Sequence, residues 1–398
     1  MADNKLTNKQ KEDRLNQQRE NYKKQDASYY ANDLYNRIIN DKMPKPVPTG
    51  FKQLDTALGG GLRPTDVTYI GAGSSLGKTT FVLQIGDQIA QNGQDVLFFS
   101  LEQSRDIIIA KSVSRLSFLN NDKEWSFSLS AKNVLDTHSA EFYNTPEERK
   151  ISEEVKRKAF EEYSTFADEH IHIFQNTQHL SVSSIDKIVE EHINIYQRKP
   201  VVLIDYLQVL RPDPDEKAGF KTDKQLVDEK VYALKHIAVK YDIPILCISS
   251  IKREGYNIKM SMDSWKASGE IEYSADCLLG LQLKGVGEQG FDEVKAKGRE
   301  REIELVILKT RLGGIGLTLP FQYNAIFNYF EEDEVVNGVI KNVEHRSRFE
   351  PVKEDIPFSD TGSDYQQISL ADLESEDNPN KTQSTRFIIP PSVLYGEE

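Results

Sequence analysis

The stretch Ala72-Gly-Ser-Ser-Leu-Gly-Lys78-Thr79 follows an apolar run, Val67-Thr-Tyr-Ile70, and opens into Thr80-Phe-Val-Leu-Gln-Ile85. Strand, Gly/Ser loop and helix in that order build an anion site. The loop turns its N–H groups inward around a phosphate, and the positive end of the helix points at the same anion. Lys78 adds a mobile charge, and Thr79 can place a hydroxyl on Mg²⁺. Gly73, Ser74, Ser75, Leu76, Gly77, Lys78, Thr79 and Thr80 are therefore the expected binders of a nucleoside triphosphate. The usual pattern starts with Gly; here that position is Ala72, with Gly71 and Gly73 on either side.

Three further positions could complete phosphate chemistry. Pro200-Val-Val-Leu-Ile-Asp205 is an apolar strand ending in an acid. A carboxylate there, beside the phosphate loop, can hold Mg²⁺ through its water shell; the plain alternative is an Asp that makes a turn. Phe98-Phe-Ser-Leu-Glu102 places Glu102 just beyond the strand that follows the loop helix. It can polarise a water for in-line attack on the γ-phosphate, or it can be a helix-start acid that complements the dipole ahead of Ser104. Leu308-Lys309-Thr-Arg311 closes a late strand, and its two cations share a side of an extended chain. They can neutralise developing phosphate charge in cis or across a subunit interface, or form a solvated face.

These groups need a scaffold, and hydropathy supplies one between Gly50 and about Phe330. Strand candidates are Val67–Ile70, Val96–Ser100, Ile171–Phe174, Val201–Asp205, Ile243–Ser249, Leu278–Leu283 and Ile303–Leu308. Helical patterns separate most of them, notably Thr79–Ala90, Ser104–Leu116, Thr145–Glu169, Ser183–Tyr196 and Asp223–Lys240. Several strands are almost wholly apolar, as expected when helices cover both faces of a sheet. The expected fold class is α/β, a mostly parallel doubly wound sheet, with its ligand site at the carboxyl ends of the strands.

Residues 1–47 are expected to form a polar N-terminal segment, 48–334 the α/β domain, and 335–398 an acidic, disordered tail. Residues 1–26 have almost nothing to bury and read as disordered or as a solvated helix. Ala27, Tyr30, Ala31, Leu34 and Ile38 line one face of a short helix, which packs on its own domain or docks on a neighbouring subunit. Pro44, Pro46 and Pro48 then form a stiff linker. The tail ends in Phe387-Ile-Ile-Pro-Pro-Ser-Val-Leu-Tyr395. It can be a binding peptide for a replication partner or a solubilising extension.

Charge does not exclude a nucleic-acid partner. The net charge is −13, but residues 331–398 hold 16 acidic and 6 basic side chains, which accounts for ten of the excess negatives. The remainder is close to neutral and can still present a local basic surface. The two cysteines, Cys247 and Cys277, lie in separate apolar runs and read as buried thiols. His170 and His172 read as strand residues. There is no signal-peptide core and no 18-residue apolar run, so the expectation is a cytoplasmic protein without a membrane partner.

The segments Pro48-Thr-Gly-Phe-Lys-Gln-Leu-Asp55 and Leu58-Gly-Gly-Gly-Leu62 resemble the lead-in of RecA-type ATPase domains. Gly71 to Phe81, Phe99-Ser-Leu-Glu102, Ile204-Asp-Tyr-Leu-Gln208 and Ser268-Gly-Glu-Ile-Glu-Tyr-Ser-Ala-Asp276 together resemble the C-terminal domain of DnaB-type replicative helicases, from about Pro48 to Phe330. The resemblance implies a RecA-like fold and a ring, usually a hexamer, with ATP held between subunits and single-stranded DNA in the central channel. It implies phosphate and Mg²⁺ binding by Lys78 and Thr79, a Mg²⁺-associated role for Asp205, and water orientation by Glu102. Lys309 and Arg311 match the family's trans-acting pair. Trp265 to Gly269 matches the stretch that tracks the DNA backbone, with Lys266 as the charge contact and Ser268 and Gly269 as small residues that permit close approach.

Three departures accompany the match. The family has Ser-Gln where this chain has Ser249-Ser250, so the γ-phosphate sensor is altered. The usual Arg-Glu of the DNA-tracking stretch is Lys266-Ala267. The family's globular N-terminal domain has no counterpart in residues 1–47, where the helix at 27–40 is the candidate for ring assembly. The expected activity is an ATP-dependent helicase or translocase, of a plasmid, phage or other mobile element. The alternative is a RecA-fold ATPase that acts as a switch or scaffold without processive unwinding.

Overall fold

In the computed structural model the described residues are 8–23, 26–175, 180–211, 222–252, 258–265 and 269–333. Lys266, Ser268 and the acidic tail from 335 onward lie outside them. Helix α1 (Asn8–Lys23) is exposed, matching the solvated-helix alternative. Helix α2 (Ala27–Ile39) is capped by Asp26 and buries none of its residues, with Tyr30, Tyr35 and Ile38 exposed. Leu34 and Arg37 of this helix are half-buried.

Short helix α3 (Lys52–Ala57) leads into strand β1 (Val67–Ala72), which is buried at every position. The chain then alternates through α4 (Lys78–Gln91), β2 (Val96–Ser100), α5 (Arg105–Leu119), α6 (Ala131–Leu135), α7 (Pro146–Ala167) and β3 (Ile171–Gln175). It continues through α8 (Val182–Tyr196), β4 (Val201–Asp205), α9 (Asp223–Tyr241), β5 (Ile245–Ser250), α10 (Gly269–Ser274) and β6 (Cys277–Leu283). Three antiparallel strands close it: β7 (Glu300–Thr310), β8 (Thr318–Asn324) and β9 (Tyr329–Glu332).

The nine strands form one sheet in the order β3-β2-β4-β5-β1-β6-β7-β8-β9, parallel from β3 to β6. Alternate residues of the central strands feed opposite cores. Ile70, Phe98, Leu203 and Ile248 pack with α3 and α4, whereas Tyr69, Phe99, Ile204 and Cys247 pack with α8, α9 and α10. This two-sided burial is why the strands read as unbroken apolar runs. Both cysteines are free and buried, and burial pushes the Cys277 thiol up to about 12. Among the described residues no helix is long and apolar enough to cross a membrane.

All seven expected strands form, two of them with the expected bounds and the others with ends shifted by up to three residues; β5 starts at Ile245 rather than Ile243, and β7 at Glu300 rather than Ile303. Strands β8 and β9 have no counterpart in the sequence reading. Pro320 breaks the strand signal of β8, yet its carbonyl accepts from Asp333 N at 3.1 Å, so its missing N–H faces the side where β9 has ended. Strand β9 is four residues long, and its edge is completed by a side chain. Gln84 of α4 donates Nε2 to Phe330 O and accepts from Phe330 N, both at 2.8 Å.

That contact belongs to a clamp on α4. The Phe81 ring is fully buried, stacks on Phe51 at 5.1 Å, and meets Phe321 of β8 at 5.4 Å and Phe330 of β9 at 5.1 Å. Beneath it, Asp87 and Arg115 form a buried ion pair between α4 and α5. Phe81→Ala should therefore cost about 3–5 kcal/mol, the range for a buried aromatic truncated in a packed core. Urea unfolding followed by circular dichroism measures it; a loss below about 1 kcal/mol would mean that the clamp does not hold α4.

Candidate functional site

The carboxyl ends of β1, β2, β4 and β5 surround a cavity of about 530 Å³, within the usual range for a small-molecule site. Its floor is the loop between β1 and α4. Two of its residues have positive φ, Ser75 at 64° and Gly77 at 86°. Position 77 needs glycine for a second reason: a Cβ there would lie 2.8 Å from the Tyr323 ring and 2.9 Å from Phe330. Lys78 opens α4 and folds back, donating Nζ to the carbonyls of Ala72 at 3.0 Å and Gly73 at 3.1 Å. Burial holds its ammonium below the ordinary lysine value, opposed by the charges of Asp205 and Glu102. Of the expected phosphate binders, Ser74, Ser75, Gly77, Lys78, Thr79 and Thr80 line the cavity. Gly73 and Leu76 do not; the Leu76 side chain is a core residue, leaving only its backbone for a ligand.

Asp205 ends β4 at 1 % exposure. Its Oδ2 accepts from the Thr79 hydroxyl at 2.8 Å. Burial raises its carboxyl above the usual range, against the lowering effects of Thr79, Lys111 and Lys78. Glu102 is exposed, lies two residues ahead of the helix cap made by Ser104, and lines the same cavity. The cap of α5 is made by Ser104, not by Glu102. The turn carrying it is pinned to β4 by Leu101 N donating to Asp205 O at 2.8 Å.

Several cavity residues escaped the sequence reading. Lys111 of α5 lines the cavity, with its ammonium lowered by burial and supported by Asp205 and Glu102. Its signal was spacing: Ile108, Lys111 and Arg115 share one helix face, and Ile108 and Arg115 are buried. Tyr323 of β8 and Asn328, in the turn between β8 and β9, reach the cavity from a hairpin that sequence did not indicate. The Arg301 guanidinium bonds Ser75 O and lies 5.5 Å from the Tyr323 ring centre. Ser250 also lines the cavity, its N–H held by Gln208 Oε1 at 3.2 Å.

Lys309 and Arg311 lie elsewhere. Strand β7 runs antiparallel to β6, with Lys309 level with Leu278, and Cys277 level with Thr68 near the start of β1. The pair therefore sits at the opposite edge of the sheet from the loop, roughly 15 Å away by strand rise. Neither residue lines the cavity of its own chain. Lys309 donates to the carbonyls of Glu272 at 2.8 Å and Tyr273 at 2.7 Å, and Arg311 faces Asp276. Gly269 opens α10, where among the described residues a Cβ would meet nothing closer than 3.6 Å, so no contact there demands glycine. The preceding described residue, Trp265, bridges Ile251 and packs against Gly71, where a Cβ would lie 2.8 Å from the indole.

Chemically, this is a polyanion site with a carboxylate-bound hydroxyl beside it. The oxygen pair Thr79 and Asp205 suits a hard cation such as Mg²⁺, which keeps most of its shell as water and phosphate and needs only one or two protein oxygens.

Residues 46–332 match the family described as DnaB-like helicase C terminal domain. A probable replicative DNA helicase of Trieres chinensis is 27 % identical over 316 residues, covering 76 % of this chain and 63 % of that protein. The replicative DNA helicase DnaB of Geobacillus stearothermophilus is 25 % identical over 304 residues, covering 73 % and 59 %. The chain thus spans about three-fifths of the length of these relatives. Among solved structures, an isolated ATPase domain superposes with a TM-score of 0.60 at 21 % identity, over 77 % of this chain and 98 % of that one. A DnaB-like replicative helicase studied with primase gives the same score and identity over 77 % and 66 %.

The buried carboxylate sets a stability test. A raised folded-state pKa means that ionised Asp205 costs stability at neutral pH; the contribution is intact below the ordinary carboxylate value and is lost as pH rises through the raised one. Asp205→Asn keeps an acceptor for Thr79 and removes the charge. The ligand-free variant should melt higher than the parent at pH 7, and the gap should close towards pH 4. A lower melting temperature at pH 7 would show that Lys78 and Lys111 more than offset the burial.

Proposed function

The chain belongs to the DnaB-like helicase C terminal domain family, and from that premise we propose that it is the ATP-driven motor of a DNA helicase, working as a cytoplasmic homo-oligomeric ring on single-stranded DNA. The observation that carries this reading is the gathering of Lys78, Thr79, Glu102 and Asp205 around one cavity, while Lys309 and Arg311 stand at the far edge of the sheet. Two halves of a phosphoryl-transfer site on opposite sides of one subunit meet when subunits are arranged head to tail. Such a heterologous contact gives a ring when its rotation closes. Helix α2, with Tyr30, Tyr35 and Ile38 exposed, is the element that docks on the neighbour.

In this reading the loop N–H groups and Lys78 hold the phosphates of ATP. Thr79 and Asp205 would hold Mg²⁺, which would supply charge neutralisation to the bound phosphates. Glu102 orients a water and takes its proton as the water attacks the γ-phosphate in line. The neighbour's Arg311 and Lys309 stabilise the charge that develops on the transferred group. Lys266, Ser268 and Gly269 follow the DNA backbone. A second reading, a nucleotide switch or scaffold without unwinding, draws on Ser250, whose short side chain stands in the cavity where the family carries the γ-phosphate-sensing Gln.

A forked-duplex strand-separation assay, run beside ATP hydrolysis with and without single-stranded DNA, separates the two. The helicase reading expects strand separation and DNA-stimulated turnover. Hydrolysis without strand separation supports the switch. Lys78→Ala should lose nucleotide binding and turnover together. Glu102→Gln should bind ATP normally and turn over roughly 10²–10⁴-fold more slowly. Arg311→Ala should be inactive alone and regain activity when mixed with Glu102→Gln, through interfaces that combine an intact Glu102 with an intact Arg311. A concentration-independent monomeric ATPase would refute the shared site.

A further inference from the structure

Asp276 lies between α10 and β6 and is almost wholly buried, at 1 % exposure. Its Oδ2 accepts from Val67 N at 2.9 Å and from Lys235 Nζ at 2.7 Å. Those two donors tie it to the start of β1 and to α9, and Lys235 alone supplies an opposite charge. Its other oxygen nevertheless faces Arg311, whose Nε lies 2.8 Å from Oδ1. The N–H is not aligned on that oxygen, which has no hydrogen-bond donor in line, so the contact is an ion pair held by charge and packing.

The geometry of Arg311 is informative. Its side chain is 56 % exposed although its partner carboxylate is buried. It is held by the Nε edge, and its terminal nitrogens make no hydrogen bond among the described residues. Attraction to the carboxylate keeps the Nε side of the planar guanidinium towards Asp276, and the two terminal nitrogens extend beyond that side. The outer edge is then free for a phosphate on another molecule. Lys309 is seated in parallel on the last-turn carbonyls of α10, groups that a short helix leaves without internal partners. One element, α10 with the aspartate that follows it, thus seats both cations.

We propose that Asp276 is the positioning residue for Arg311: its buried carboxylate fixes the guanidinium at the subunit edge, so that the terminal nitrogens are presented to the nucleotide of the adjoining subunit. This rests on the helicase-motor reading and the trans role of Arg311. The advantage is pre-organisation. An exposed arginine has several free torsions, and one held in place loses that freedom on folding rather than in the transition state.

The test is turnover of the full chain carrying Asp276→Asn, which keeps an acceptor for Val67 N and loses the charge, with Asp276→Glu beside it, which keeps the charge and shifts it by one methylene. The expected result for Asn is a fall in kcat of about tenfold with KM for ATP within about twofold, and a smaller fall for Glu. Mixing Asp276→Asn with Glu102→Gln should raise turnover above the sum of the two, because the Gln subunit presents a well-seated Arg311 to the Asn subunit's intact Glu102. A merely structural Asp276 would damage its own subunit and would not be complemented. Where Asn does not fold, as judged by circular dichroism, Glu gives the same readout at lower amplitude. Parental kcat in a folded variant, or a loss that mixing with Glu102→Gln does not relieve, would overturn the proposal. Failure of the Arg311→Ala mixture to recover would instead overturn the trans reading beneath it, and the two failures are told apart by that control.

Discussion

A carboxylate at 1 % exposure cannot be ionised unless something answers its charge, and most of the site follows from how Asp205 is answered. Thr79 donates to it, and Lys78 and Lys111 supply positive potential. For those groups to converge, β4 must end level with the loop after β1, which requires β4 and β1 to flank β5 in parallel register. Leu101 N must reach Asp205 O, which brings the Glu102 turn to the same edge. The parallel sheet supplies this alignment because all its strands end on one side.

The opposite edge of the sheet has its own buried carboxylate. Asp276 sits where β1 and β6 begin, and antiparallel β7 brings Lys309 and Arg311 to it. Had β7 run parallel, the pair would have ended beside its own phosphate loop. A single reversal of strand direction therefore separates the two halves of the chemistry by the length of a strand. In the proposed ring a neighbour would complete such a subunit, and the exposed apolar residues of α2, Tyr30, Tyr35 and Ile38, would be available to hold one.

Strands β8 and β9 do more than widen the sheet. Their aromatic residues grip α4 through Phe81, leave no room for a side chain at residue 77, and set Tyr323 and Asn328 at the cavity wall. On the other face, Trp265 presses on Gly71 just ahead of the loop. The phosphate loop is thus wedged between two aromatic contacts, which restricts the shapes available to a segment that is otherwise rich in small residues.

Local chemistry was readable from the chain alone. The loop, its flanking strand and helix, the acid at the end of β4 and the seven apolar strands are short-range patterns, because each depends on residue types within a few positions of one another. Longer-range facts were not. Nothing near Lys111 announces that its helix face meets Asp205, and Pro320 hides a strand that pairs only because β7 lies beside it. The seating of Arg311 on a carboxylate 35 positions earlier in the chain was equally out of reach. Sequence by itself determined which groups the protein carries and on which elements they ride. Tertiary structure alone decided which of them share a cavity and which stand a strand's length apart, because strand direction and register are set by pairing between distant segments.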